Sequence, residues 1–118
     1  MSCEPKVVNW KEVEAKEVPE EMATKTTIRW LIEPKEAPNF CMRIFEVMPG
    51  GVIKEHSHPW EHEIFVLKGK GKIRIGDEEY EVKEGDFIYI PPCKRHYYEN
   101  LGEEPFVFIC VIPKSGCK

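Results

Sequence analysis

Three of the four histidines of this chain sit in the stretch EHSHPWEHEIFVLKGKG, at positions 56, 58 and 62. The fourth, His96, lies 34 residues beyond His62. Neutral imidazoles are ligands for divalent transition ions. On a strand, His56 and His58 point to one face with Cα atoms roughly 6–7 Å apart, so two rings can converge on one ion. Pro59 and Trp60 interrupt the strand, and a turn there can return His62 to the same ion. Glu63, one residue on, offers a carboxylate at nearly the same spacing and is the alternative ligand. A lone histidine is usually an ordinary polar residue. Here all four fall into one constellation with none left over, which points to a metal site.

No other constellation competes. There is no Ser-His-Asp set, and GKGKIRIG lacks the Lys-Ser/Thr ending of a phosphate loop. The cysteines at 3, 41, 93, 110 and 117 are odd in number and form no CxxC, so zinc-finger spacing and a disulfide framework are both unsupported. They read as small buried hydrophobes or tail residues. Tyr97, Tyr98, Glu61 and Glu63 are the only weak candidates for proton transfer near the histidines.

The elements that must position these residues are strands. TTIRWLI alternates; FCMRIFEVM is apolar on both faces and should be buried on both, with PGG ending it. HEIFVL, GKIRI, EYEV, DFIYI and FVFICVI follow, separated by Gly and Pro turns. Gly76-Asp77 reads as a hairpin turn. Pro91-Pro92 stops the strand begun at Phe87. One weak helix candidate, Trp10 to Ala23, is broken by Pro19. Short strands at this spacing predict an all-β sandwich or barrel.

The motif spacing resembles that of the cupins. Their first motif runs Gly, five residues, His-x-His, three or four residues, Glu, six residues, Gly. Gly50, His56, His58, His62 and Gly69 follow it, with His62 in the place of Glu. Their second runs Gly, five residues, Pro-x-Gly, two residues, His, three residues, Asn. Gly85, Pro91, His96 and Asn100 follow it, with Cys93 in the place of the central Gly. The chain is most similar to small manganese-binding single-domain cupins of thermophiles. The resemblance implies a double-stranded β-helix (jelly-roll) barrel and one divalent transition metal per chain on His56, His58, His62 and His96. Manganese or iron comes from the resemblance; softness alone equally suits zinc, copper, iron or nickel.

Ligands of a small barrel project inward, so their inward neighbours form the pocket. In FVFICVI both parities are apolar, and parity alone leaves the inward side open. The resemblance implies Phe108, Cys110 and Ile112 as pocket residues, joined by Ile53. Arg43 interrupts the apolar set Cys41, Phe45 and Val47. If that set faces inward, Arg43 can anchor a carboxylate or an enolate; otherwise it pairs with Glu46 or another carboxylate. Four neutral ligands leave the ion's charge uncompensated and favour anionic or oxygen-donor substrates.

The leading functional expectation is a manganese- or iron-dependent, dioxygenase-like oxidoreductase acting on a small organic substrate. The alternatives are a non-catalytic ligand- or metal-binding module and a redox-neutral isomerase or lyase. With 118 residues the chain fits one domain. Residues 1–25 read as an N-terminal extension, 26–113 as the barrel and 114–118 as a flexible tail. A net charge of −4 without a basic block excludes a nucleic-acid footprint. No apolar run is long enough to span a membrane, so a cytoplasmic protein is expected. Lys and Glu dominate the charges and Gln is absent, a bias shared with thermophile proteins. The apolar strands before Gly50 suggest surfaces that a second copy covers, hence a homodimer.

Overall fold

β-Branched and aromatic residues alternate along most of the chain, and the chain folds accordingly. The computed structural model describes residues 4–116. Its strands are β1 (Lys16–Glu17), β2 (Ala23–Ile32), β3 (Phe40–His56), β4 (His62–Lys68), β5 (Lys70–Ile75), β6 (Glu78–Lys83), β7 (Phe87–Ile90), β8 (His96–Glu99) and β9 (Phe106–Pro113). The main path of pairing is β6-β5-β8-β3-β9-β4-β7, with β2 added to β3 and β1 to β2. Every strand pair is antiparallel, and the sheet rolls into an all-β jelly-roll barrel.

The Trp10–Ala23 segment forms no α-helix. A 3-10 turn at Trp10–Glu12 is capped by the Asn9 side chain, which accepts from the Lys11 amide at 2.9 Å. Pro19 then closes a turn in which the Met22 and Ala23 amides donate to its carbonyl. Arg29 holds this segment to the sheet. It pairs with Glu46 at 2.9 Å and donates to the Val13 carbonyl at 2.6 Å.

The PGG stretch does not end its strand. β3 runs through Pro49, Gly50 and Gly51 without interruption and changes partners there. Before the bend, Phe40–Val47 pairs with β9; after it, Val52–His56 pairs with β8. Gly50 supplies a positive φ of 82° that other residues reach only with strain. A Cβ on Gly51 would lie 2.7 Å from the Thr24 carbonyl oxygen. The glycines are thus the corner at which one strand passes between two layers of the barrel.

β9 supplies much of the interior. Phe106, Phe108, Cys110 and Ile112 are all buried, and Phe108 stacks between Tyr98 at 5.1 Å and Phe45 at 5.5 Å. Burying each phenylalanine contributes roughly 2–3 kcal/mol. Of the other parity, Ile109 and Val111 are half-buried, while Val107 is buried. Cys93 and Cys110 are free thiols, whereas Cys41 is disulfide-bonded. The reading of Cys41 as a plain buried hydrophobe is corrected, because sequence spacing carries no information on spatial neighbours. Cys3 and Cys117 lie outside the described residues.

Residues assigned from sequence to the extension take part in the barrel: Ala23 opens β2 and is buried. The tail expected to be flexible begins as a 3-10 turn at Lys114–Gly116, and residues 117 and 118 lie outside the described residues.

Candidate metal centre

The four histidines arrive from three directions at one end of the barrel interior. His56 ends β3, His58 sits in the following loop, His62 opens β4 and His96 opens β8. His56 and His96 are cross-strand partners. Their ring centroids are 4.2 Å apart, and His96 lies 4.7 Å from His62 and 5.9 Å from His58. The candidate ligand nitrogens of His56, His58 and His96 all fall within 4.8 Å of one another.

Straight alternation would place Ile53 and His56 on opposite faces. The register between β3 and β8 instead matches three steps on β3 to two on β8. Lys54 and Glu55 share the extra step and both face solvent, so Ile53 and His56 both turn inward. At β4 simple alternation holds: His62 is buried and Glu63 is exposed. The carboxylate alternative to His62 therefore points away from the cluster.

Two rings are fixed by their own backbone. His56 Nδ1 donates to the Lys54 carbonyl at 2.7 Å, and His96 Nδ1 donates to the Lys94 carbonyl at 2.9 Å. A carbonyl only accepts, so Nδ1 carries the proton and Nε2 keeps a free lone pair. His96 Nε2 is buried with no partner, and so is His62 Nδ1. Buried polar atoms without partners are rare, and nitrogen lone pairs in this position are what a divalent ion completes. The donor set therefore fits a metal.

Burial favours the neutral form of His58, His62 and His96. It pushes His62 down to about 3, helped by the neighbouring charges of His96 and Arg43. It pushes His96 down to about 4, against the opposing pull of the Lys94 carbonyl. His58 is lowered by burial, then by His56 and Arg43. Neutral rings are the form that binds metal. Trp60 lies flat on His58, 4.5 Å away with planes 7° apart, and Gly116 packs against the Trp60 indole. A Cβ there would lie 2.6 Å from the indole, so the C-terminal turn supports the loop that carries His58.

His56, His58 and His62 line a cavity of about 200 Å3, and His96 is not among its lining residues. Of the residues expected in the pocket, Arg43, Ile53, Phe108 and Cys110 line it. Ile112 does not; it is buried further along β9. Arg43 does not pair with Glu46, which Arg29 occupies. Sequence reasoning missed Val18, Glu21, Met22 and Ala23, which line the mouth from the N-terminal side. Of the two tyrosines weighed from sequence for proton transfer, Tyr98 lines the cavity, while Tyr97 packs under Arg74. Alternation with His96 carries that signal for Tyr98.

The Cupin domain family matches residues 43–112, more than half of the chain. The chain belongs to the cupins. The polyketide cyclase RemF from Streptomyces resistomycificus is 36% identical to this cupin, with a TM-score of 0.87 over 94% of this chain and 80% of that one. A predicted oxalate decarboxylase from Thermotoga maritima shares the fold at 21% identity, with a TM-score of 0.82 over 92% of this chain and 98% of that one. A glucose-6-phosphate isomerase from Pyrococcus furiosus is 32% identical over 91% of this chain and 62% of its own length. The cupin spans about half, or less, of the first curated relatives it matches, at 45%, 21% and 51% of their lengths. Among the described residues, no helix is long and apolar enough to cross a membrane.

Proposed function

We propose that this cupin is a metal-dependent enzyme that binds a small oxygen-chelating organic substrate and transforms it without net oxidation. The observation that carries the reading is the pair of buried, unpartnered imidazole nitrogens, His62 Nδ1 and His96 Nε2, within a histidine cluster of which His56, His58 and His62 line the cavity. His56, His58, His62 and His96 would hold one divalent ion, manganese or iron by family likeness. A bound ion would supply Lewis acidity to a substrate oxygen. The chain's own part is to favour the neutral form of His58, His62 and His96, to orient the rings, and to exclude water with Ile53, Phe45 and Phe108. The redox-neutral choice is supported by the 36% identity to a polyketide cyclase along nearly the whole chain.

The second reading is the manganese- or iron-dependent, dioxygenase-like oxidoreductase. It is favoured by the apolar lining and by the exposure of Glu63, which leaves no carboxylate of β4 facing the rings. One experiment separates the two. Protein purified without chelator is expected to carry a single divalent ion per chain. That protein is given cyclic β-diketones in D2O under nitrogen. Exchange of the acidic C–H, faster than with the His96→Ala variant, supports the first reading. No exchange, with oxygen uptake in air, supports the second; neither, at full metal occupancy, leaves a binding module. A homodimer is proposed on the exposure of Phe40 and Met48 on β3, with light scattering as its test.

A further inference from the structure

The cavity holds a cation with no counter-ion. Arg43 lines it from the inner face of β3, yet none of the ion pairs among the described residues includes it. Its guanidinium lies 4.9 Å from the ring centre of Phe45 and 5.6 Å from that of Trp30. One Nη2–H is used on the Cys110 sulfur at 3.1 Å, a weak acceptor, and Nε is buried with no partner. Glu55, a carboxylate at the mouth, is already engaged by Arg74 and Arg95. A partly desolvated charge left without a partner costs several kcal/mol. The fold keeps it in the one place where a ligand can complete it.

Tyr98 stands beside it. Its ring is pinned by stacking on Phe108 and by the edge of His96 at 5.7 Å. It lines the cavity, and among the described residues its hydroxyl has no hydrogen-bond partner. Outside the histidines, the polar lining is Arg43, Tyr98 and the Cys110 thiol, with the exposed Glu21, Lys54 and Glu55 around them. Ile53, Phe45, Phe108 and Ala23 supply apolar wall between these groups. What is missing is an acceptor carrying negative charge on a flat, apolar body.

We infer that Arg43 and Tyr98 form an oxyanion subsite that takes the carboxylate, enolate or phenolate oxygen of a small planar organic anion. The cavity of about 200 Å3 has room for a single substituted ring. The inference deepens the proposed function by naming its substrate class, and it rests on the metal reading only for the ligand's second oxygen. The subsite itself consists of the chain's own donors.

The test uses benzoate and its neutral counterpart benzyl alcohol, titrated calorimetrically into protein of measured metal content and into chelator-stripped protein. Wild type is expected to prefer benzoate by about tenfold or more, and part of that preference should survive stripping. Arg43→Met should lose about tenfold for benzoate and little for benzyl alcohol, with metal content unchanged; Tyr98→Phe should lose about threefold. Arg43→Lys, which keeps the charge, should retain part of the preference and covers the case in which Arg43→Met fails to fold. No preference in wild type would overturn the subsite. So would a preference that Arg43→Met leaves intact, or one that vanishes on stripping. A protein that never loads metal but shows an Arg43-dependent preference keeps the subsite and removes the metal reading instead.

Discussion

His96 and Asn100 stand at the two ends of one short segment, both almost fully buried, and they are treated in opposite ways. Asn100 is satisfied on every side. Its Nδ2 donates to the Val47 and Glu104 carbonyls, both at 2.8 Å, and its Oδ1 accepts from the Gly102 amide at 2.8 Å. His96 uses Nδ1 on its own backbone and leaves Nε2 with nothing. His62, Trp60 and Arg43, all at the His96 end, also carry buried unpartnered nitrogens. Burial alone does not mark function. A buried polar group whose hydrogen bonds are complete belongs to the scaffold, and one whose bonds are missing marks where something else is meant to bind.

The contrast can be broken most sharply with acid. His62 and His96 have folded-state values of about 3 and about 4, below the ordinary 6.5, so the unfolded chain takes up protons first as pH falls. Their contribution is intact above the unfolded value and drains away through the window from 6.5 toward 4. At ~1.4 kcal/mol per pH unit for each ring, metal-free protein should lose about 4–5 kcal/mol between pH 6.5 and 4.5. Urea melts across that range measure it, and His62→Phe should halve the slope. A flat profile would mean the rings are not held neutral by burial.

Asn100→Ala comes next. It removes three hydrogen bonds and strands two carbonyls, and should cost about 3 kcal/mol of stability at pH 7 while leaving metal affinity unchanged. His96→Ala should do the reverse, weakening metal binding by about 100-fold, ~2.7 kcal/mol, while leaving the metal-free protein's stability within about 1 kcal/mol. Competition with a chromogenic chelator reads the affinity. If the two substitutions destabilised the metal-free protein equally, the division between scaffold and site would fail. The smallest effect is expected at Cys93, which holds a positive φ of 67° where the second motif has glycine. Cys93→Gly should gain about 1 kcal/mol without changing metal affinity, because the amide that donates to His58 is kept.

Most strands and the grouping of His56, His58 and His96 were legible because period-two alternation and motif spacing are local properties. His62 over Glu63 follows from parity, since Ile64 and Val66 share the buried face of β4. The continuity of β3 through Pro49-Gly50-Gly51 was not legible, because whether two glycines end a strand or bend it depends on partners that β8 and β9 supply from far along the chain. The extra residue at Lys54-Glu55 was hidden for the same reason. Ile112 was placed in the pocket by the family resemblance; it shares the buried face of Phe108 and Cys110 but lies further along β9, a depth that residue spacing does not give. The bonded state of Cys41 and the mouth built from Val18 to Ala23 depend on long-range packing that spacing does not encode.

Strand β3 is flanked on both sides for most of its length, by β2 and β9 before the bend and by β2 and β8 after it. Its amides can exchange with solvent only when the whole barrel opens. β1, with two residues paired to one neighbour, opens far more readily. Arg43 and His56 thus stand on the most heavily braced strand of the sheet, while Val18 and Glu21, on the wall of the same cavity, follow its least braced one. Ligand entry past the N-terminal segment need not disturb the strand that carries Arg43 and His56.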